Sequence, residues 1–404
     1  MSPKPAGTSY DFDVVIVGGG PAGAAAAVTA RNAGLSVAIV DKATFPRDKL
    51  CGGLASGRSV KNLRRIFGID AKAPLFHVSR AVEFRWGAEV LAQFDAPYDQ
   101  FFTMRFAFDD VLLRHAQNMG CNLFTGQRIG ELDDKAHSVT LGQGQVLHYK
   151  VLIGADGVNS MVARHLFGRA FQPDTIGFAL EAEAPLEAPP SGTAVMQVDF
   201  DAVEWGYGWS FPKRETRTVG LGGLQSRNPD LKPQMNALLE RHGIDPGTVR
   251  IKGHFIPFGD FRRQPGRDNI VLVGDAAGLV DPLTGEGIAF ALESGDLAAV
   301  AAAQAIAAGN PSSAAKRYVP TLAAIHSELS QANRLRQFAF SSRFRPIFRD
   351  KLQTSERMRR LFFELLAGET TYKDIEKQMA GDLVRKLTRS MTGWPRALTR
   401  RSRS

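Results

Sequence analysis

Two carboxylates of this 404-residue chain follow apolar runs at points where a turn would aim them at a polyol. Asp41 closes the run 36–40, and Asp275 comes after Val271-Leu272-Val273-Gly274. A carboxylate at the end of a buried parallel strand accepts hydrogen bonds from ribose hydroxyls and repels a 2′-phosphate, so Asp41 favours FAD or NAD over NADP. Upstream lies Gly18-Gly19-Gly20-Pro21-Ala22-Gly23. In such a segment Gly18 permits a tight turn, Gly20 lets backbone approach a pyrophosphate, and Gly23 lets a helix pack closely on the preceding strand. Asp275 discriminates between the dinucleotides. It is followed by Gly285-Glu286-Gly287-Ile288 and a helical stretch to about residue 308. The carboxylate can therefore meet a polyol hydroxyl, while the helix N-terminus near Gly287 offers N–H groups to the N1/C2 edge of an isoalloxazine. NAD has no ribityl chain to use this arrangement, and FAD is the expected cofactor.

These residues need particular elements to hold them. Residues 12–17 read as a buried parallel strand, 24–33 as an alanine-rich helix and 36–40 as a second strand. The apolar run before Gly274 reads as a further buried strand ending in a turn. Flavin-binding segments at 11–75, 102–168 and 255–310 are interrupted by 76–101 and 169–254. In the interruptions, 81–94, 193–200 and 217–222 alternate apolar and polar residues, which predicts one substrate sheet with a proline-rich turn at 185–190. From residue 311 to residue 404 the pattern is helical and basic.

With Gly154-Ala155-Asp156-Gly157 between the other two, the three glycine motifs resemble the glutathione-reductase-type flavoproteins of the aromatic hydroxylase superfamily over roughly residues 11–310. Two more segments narrow the likeness. Phe45-Pro46-Arg47-Asp48-Lys49-Leu50-Cys51-Gly52-Gly53 and Tyr207-Gly208-Trp209-Ser210-Phe211-Pro212-Lys213 resemble the signature segments of the geranylgeranyl reductase family, enzymes that saturate isoprenoid chains. The resemblance implies an α/β fold: a glutathione-reductase-type FAD-binding Rossmann domain with an inserted β-sheet substrate domain and a C-terminal helical region. It implies FAD contacts at Ala22, Asp41, Cys51, Gly52, Arg105, Asp275, Gly287 and Ile288. It also implies contacts of the second motif, with Asp156, to the pyrophosphate and ribityl chain, and a backbone contact to adenine at Arg128. Arg105 precedes Phe108-Asp109-Asp110-Val111-Leu112-Leu113, read as a helix start that Asp109 or Asp110 can cap. Its guanidinium is expected at the flavin side of the pyrophosphate or at the ribityl oxygens.

Composition narrows the setting. The two cysteines, Cys51 and Cys121, offer neither a disulfide framework nor a metal-ligand spacing, which fits a reducing cytoplasm. No signal peptide is read in residues 1–10, and no run is read as approaching the ~20 apolar residues of a membrane span. Charge is concentrated at one end: residues 316–404 carry 20 Lys and Arg against 8 Asp and Glu, a +12 excess larger than the whole chain's +9. In Phe338-Ala339-Phe340-Ser341-Ser342-Arg343-Phe344-Arg345-Pro346-Ile347-Phe348-Arg349 basic residues alternate with large apolar ones. That composition suits peripheral contact with an anionic membrane; it equally suits phenylalanines packed over a substrate cavity with a solvated arginine face. No recognised nucleic-acid module accompanies the charge.

By this reading the chain is an FAD-dependent oxidoreductase acting on the CH–CH groups of a prenyl lipid. Reducing an isolated alkene needs hydride at one carbon, a proton at the other, and an elongated apolar site closed to water. Cys51 is placed beside the isoalloxazine by family analogy, as a catalytic contributor or as a packing residue. Tyr207, Trp209 and Phe211 share one strand face, as lining for a prenyl tunnel or as core. The proton donor is not identified by sequence. With a single dinucleotide fingerprint, the electron donor is a transiently bound NADPH or a ferredoxin, the latter docking on the basic tail. An aromatic or lipid monooxygenase shares the whole FAD framework, as does a halogenase, which carries Gly-Glu-Ser where this chain has Cys51-Gly52-Gly53. A non-enzymatic flavin- or lipid-binding protein is the remaining alternative.

Overall fold

Strand, glycine turn and helix follow one another at the N-terminus as the apolar runs predict. In the computed structural model, residues 7–185 and 194–377 are described. Most of the proline-rich turn at 185–190 and the basic residues beyond 377 lie outside them. Ser9–Val17 and Val37–Asp41 pair in parallel, and Val146–Gly154 pairs in parallel on the other side of the first strand. The sheet extends to Asn122–Thr125 at one edge and through Ile270–Leu272 to Gly266–Arg267 at the other. Its central residues Val14, Val15, Ile16, Val37, Ala38 and Ile39 are inaccessible to water. Burial on both faces explains why these strands read as continuous apolar runs.

Helices Pro21–Asn32 and Ile288–Ala307 pack against each other beside this sheet. Their alanines leave shallow surfaces, and Gly295 has no room for a side chain because a Cβ there would collide with the carbonyl of Ala22. The 20-residue Ile288–Ala307 helix is long and apolar enough, by composition, to cross a membrane. This corrects the reading that no run approaches that length; the helix belongs instead to the core, with Phe290, Leu292 and Ala299 among its buried residues.

The second sheet is mixed. Its order is Lys252–Ile256, Gly177–Pro185, Thr216–Leu224, Gly206–Pro212, Met196–Asp199, His77–Trp86, Glu89–Phe102 and Leu54–Ala55. The Leu54–Ala55 strand, directly after the Cys51-Gly52-Gly53 segment, pairs with Phe101 and Phe102 and so ties the first sheet's loop to the second sheet's edge. Met235, Leu238 and Leu239 of helix Lys232–Arg241 pack on Val219 and Leu221. At the other end helices Ala323–Phe340, Arg345–Thr354 and Glu356–Ala367 bring Phe340, Phe348 and Phe363 onto Phe84, Phe200 and Phe211.

Candidate active site

The three glycine motifs meet at the carboxyl ends of the first sheet's strands. Gly18 adopts φ +108°, and a Cβ on it would collide with the carbonyl of Ala155 in the second motif. The same two segments are joined by Ala155 N donating to Val17 O at 2.7 Å. The third motif joins the second through Val273 N to Gly154 O at 3.0 Å, and Gly274 stands against Ala22, whose Cβ is 3.2 Å from the place a Gly274 Cβ would take. Gly23 has no room for a side chain either, since a Cβ would meet Gly18 O. Gly20 differs: a Cβ there would meet only Arg47 Nη2, at 3.5 Å. Nothing among the described residues requires glycine at that point, whereas a group lying against the backbone would.

The polar groups around this turn fit an anionic dinucleotide. Helix Pro21–Asn32 has no side-chain cap, and Ala22 and Gly23 N–H have no protein acceptor among the described residues. Arg47 lies beside Gly20 and reaches Asp109 at 3.1 Å. Arg105 binds the same carboxylate through Nε at 2.6 Å and Nη2 at 2.8 Å. Two guanidiniums on one fully buried carboxylate leave a net positive charge next to the glycine turn, as a pyrophosphate needs. Burial works against the Arg105 charge, but Asp109 and Cys51 outweigh it and hold its pKa above the ordinary value.

That arrangement corrects the capping role read for Asp109 and Asp110. The helix begins at Arg105 itself, with Met104 at its N-cap; Asp109 is buried as the arginine partner, and Asp110 pairs with Arg114 at 2.7 Å. Arg47 and Asp109 are the residues the sequence reading missed here. The four-residue spacing of Arg105 and Asp109 was the available signal.

At the adenosine end, Asp41 Oδ2 accepts from Gly19 N and Oδ1 from Ala43 N, each at 2.8 Å. Each oxygen retains a lone pair for a ribose hydroxyl. Gln127 N donates to Asp41 O at 3.0 Å, which brings neighbouring Arg128 to this end of the cleft. Asp156 turns elsewhere. Its carboxylate accepts from Ser160 Oγ at 2.5 Å and Met161 N at 2.6 Å, serving the N-terminus of helix Met161–Phe167, so the second motif meets Gly18 through Ala155 backbone. Burial raises the Asp156 pKa against those bonds.

At the other end, Asp275 is half-buried with no hydrogen-bond donor among the described residues, and its Oδ1 lies 3.6 Å from the place of a Gly287 Cβ. Glu286 Oε1 accepts from Ala289 N at 2.9 Å, so the open helix end expected near Gly287 is partly capped. The N–H groups of Gly287, Ile288 and Phe290 are left without a protein acceptor among the described residues. These donors and Asp275 suit the flavin half of FAD.

Between the two sheets lies the Cys51-Gly52-Gly53 loop. Cys51 is half-buried, its N donates to Glu181 Oε1 at 3.1 Å, and its Sγ accepts from Gly53 N at 3.3 Å. Lys213 Nζ donates to Gly52 O. Burial lowers the Lys213 pKa, opposed by Glu183, Cys51 and Glu181. A Cβ on Gly52 would stand 3.0 Å from Phe211 Cδ2 and 3.2 Å from Trp209 Nε1.

The aromatic strand thus backs on this loop, and Tyr207 and Phe211 line an apolar cleft enclosing about 920 Å³, counting space open to solvent. Leu54 and Thr284 line it from the two cofactor-side loops, and Phe338 and Phe348 from the C-terminal helices. Trp209 lies instead over Gly220, with Nε1 toward Gly52. The Tyr207 hydroxyl donates to Thr284 O, and Tyr372 donates to Asp281 Oδ2 at 2.8 Å, fastening the C-terminal segment to the same turn. Arg345 pairs with Asp201 at 2.6 Å and Arg349 with Glu89, both guanidiniums lying over Trp86. In this stretch Phe338 and Phe348 face the cleft, Phe344 is exposed, and Arg345 and Arg349 are tied to the second sheet. Glu181 and Lys213 had no assigned role in sequence; a lone carboxylate inside Phe178-Ala179-Leu180-Glu181-Ala182 was the signal.

Comparison with known proteins agrees with this geometry. The FAD binding domain family matches residues 11–318. The chain is 32% identical over 309 residues to the menaquinone reductase of Mycobacterium tuberculosis, covering 71% of this chain and 75% of that one. It is 30% identical to the geranylgeranyl diphosphate reductase of Rhodobacter capsulatus, covering 74% and 77%. Among solved structures, a geranylgeranyl bacteriochlorophyll reductase-like protein from Thermoplasma acidophilum superposes with a TM-score of 0.76 at 20% identity, covering 91% of this chain and 99% of that one.

Proposed function

This chain belongs to the FAD binding domain family and is an FAD-dependent oxidoreductase, and from that premise we propose that it saturates carbon–carbon double bonds of a prenyl chain of the geranylgeranyl type. The observation that carries the proposal is the apolar cleft running from the Cys51–Leu54 loop to the C-terminal helices. A polar aromatic substrate would leave such walls unused, whereas an isoprenoid chain gains about 25 cal/mol for each Å² of apolar surface it buries there. Relatives named as reductases of geranylgeranyl diphosphate and of menaquinone, both prenylated molecules, support the reading.

FAD, once reduced, supplies hydride to one alkene carbon. The protein's part is to hold and exclude. Asp41, the Gly18–Gly23 turn with Arg47, and Asp275 with the Gly287 helix end hold the three parts of the dinucleotide. Tyr207 and Phe211 orient the chain, with Tyr207 fixed through its hydroxyl to Thr284 O. The C-terminal helices keep water from the reacting carbons. The electron donor is NADPH bound transiently or a ferredoxin met by the basic C-terminal region. The exposed Phe344 and Ile347 beside Arg343 give the protein its contact with an anionic membrane that holds the substrate.

The test is anaerobic reduction of the protein with a prenyl lipid, followed by mass spectrometry. A gain of two hydrogens is expected. Incorporation of one oxygen in air, without hydrogenation, would transfer the function to a monooxygenase.

A further inference from the structure

Two buried titratable side chains of the second sheet hold the Cys51-Gly52-Gly53 loop from beneath, Lys213 at Gly52 O and Glu181 at Cys51 N. Lys213 has a partner for its bond; Glu181 has an atom to spare. The residue is 6% exposed, and its Oε2 is buried with no hydrogen-bond partner among the described residues. Pairing across the sheet puts Glu181, Gly220 and Trp209 on one rung. Because Gly220 has no side chain, the Trp209 ring lies across its position, with Cζ2 2.5 Å from the place of a Cβ. Trp209 Nε1 is also buried and unpartnered, 3.2 Å from the place of a Cβ on Gly52. One rung therefore brings a carboxyl oxygen and an indole N–H, neither satisfied by the described protein, to the loop between the cofactor cleft and the apolar cleft. Leaving such atoms unsatisfied costs stability, and a polar group that is buried and idle in the fold is where chemistry is to be sought.

We infer that Glu181 is the acid that supplies the proton in the proposed reduction, giving it up from Oε2. The inference rests on the reading of this chain as a prenyl reductase. In the step the alkene π bond breaks, one carbon takes hydride from reduced flavin, and the other takes the Glu181 proton. The flavin is left oxidised and Glu181 as a carboxylate, which recovers its proton from solvent. The surroundings suit the task. Burial above all, and Glu183 beside it, raise the Glu181 pKa against the Cys51 N–H, Lys213 and Lys49, to about 7. On the other neighbouring strand Lys252 is opposite Glu181 in register but is paired with Asp48, and burial keeps His254 neutral, pushing its pKa down to about 4. An acid near the working pH both gives and regains its proton readily.

The test uses the FAD-loaded full chain as wild type, Glu181→Gln and Glu181→Asp. Infrared difference spectra between pH 5 and 9 should show a carboxylic-acid carbonyl band titrating near pH 7 in wild type and missing in E181Q, with no substrate present. In anaerobic single turnovers of reduced protein with geranylgeranyl diphosphate, E181Q should slow flavin reoxidation by roughly a hundred- to ten-thousandfold and lose the falling limb of the pH profile near 7. E181D should restore part of the rate, and bound FAD should be unchanged in E181Q, which keeps an oxygen to accept from Cys51 N. An unaltered rate and pH limb in E181Q, or a carboxylate already ionised at pH 5, overturns the assignment. Wild type that hydrogenates no prenyl probe while its carbonyl band titrates overturns the reductase reading itself and removes the acid's reaction with it.

Discussion

Replacing Asp275 with alanine separates binding of the cofactor from stability of the fold. The carboxylate sits half-buried at the Gly274–Ala277 turn, and no described protein group donates a hydrogen bond to it. Its removal leaves no protein donor unsatisfied, so the flavin-free protein should lose less than about 0.5 kcal/mol. The half-buried Lys49 is the group that senses the change, because desolvation lowers its pKa and Asp275 opposes that effect. Toward FAD the outcome is different. A charge-assisted hydrogen bond to a ribityl hydroxyl contributes about 1.5–3 kcal/mol, so the dissociation constant should rise roughly ten- to a hundred-and-fiftyfold. Asp275→Asn keeps an acceptor oxygen without the charge and should fall between the two. The assay is fluorescence titration of deflavinated protein with FAD, beside urea melts with and without it. At a fixed saturating FAD concentration, a hundredfold weaker affinity removes about 2.7 kcal/mol of ligand-linked stabilisation. Equal FAD affinity in D275A would refute the role drawn for this turn. A parallel loss in the flavin-free protein would mean that Asp275 supports the fold instead.

Gly52→Ala places a methyl group 3.0 Å from Phe211 Cδ2 and 3.2 Å from Trp209 Nε1, so the aromatic wall must shift. It should cost about 1–3 kcal/mol and raise KM for a long prenyl substrate more than it changes FAD content; steady-state kinetics with short and long chains measure the difference. For Glu181 the folded-state pKa of about 7 lies above the ordinary glutamate value of 4.5. The folded protein therefore binds the extra proton, and this contribution is complete below pH 4.5 and lost as pH rises through 7. The loss is about 3 kcal/mol. Urea melts at pH 5 and pH 8 should show wild type losing about 2.5 kcal/mol of it relative to E181Q, and parallel pH curves would count against a raised pKa. Arg345 and Arg349 are paired with Asp201 and Glu89, whereas Arg343 stacks on the exposed Phe344. If the surface meets anionic lipid, Arg343→Gln should reduce liposome sedimentation by about 1 kcal/mol per charge, with salt screening the effect. The double replacement of Arg345 and Arg349 should act mainly on stability, by up to about 1 kcal/mol per exposed pair.

What the sequence made legible is local, and the reason is physical. A buried parallel strand must be apolar throughout, a turn against a phosphate must lack side chains, and a helix that packs closely must carry small ones; residues 12–33 satisfy all three within one short stretch. Contacts that close only in three dimensions leave no such trace. Cys51 N meets Glu181 across 130 positions, and Tyr372 meets Asp281 across 91. Asp109 looked like a cap because an aspartate early in a helix usually is one, yet two arginines claim it and the helix starts four residues sooner. The illegible contacts share one location. Glu181 and Lys213 belong to the substrate sheet but grip the Cys51–Gly53 loop of the flavin side, while Tyr207 and Tyr372 from the substrate sheet and the C-terminal segment grip the Asp281–Glu286 turn. Each grip spends a buried polar group on backbone or carboxylate of the opposite unit. The Asp281–Glu286 turn is thereby held by Tyr207 and Tyr372, which also line the apolar cleft, and the Cys51–Gly53 loop by Glu181 and Lys213 of the substrate sheet. Glu181→Gln keeps an oxygen to accept from Cys51 N and leaves the loop held, whereas Lys213→Ala removes the donor to Gly52 O and should register in bound FAD as well as in turnover.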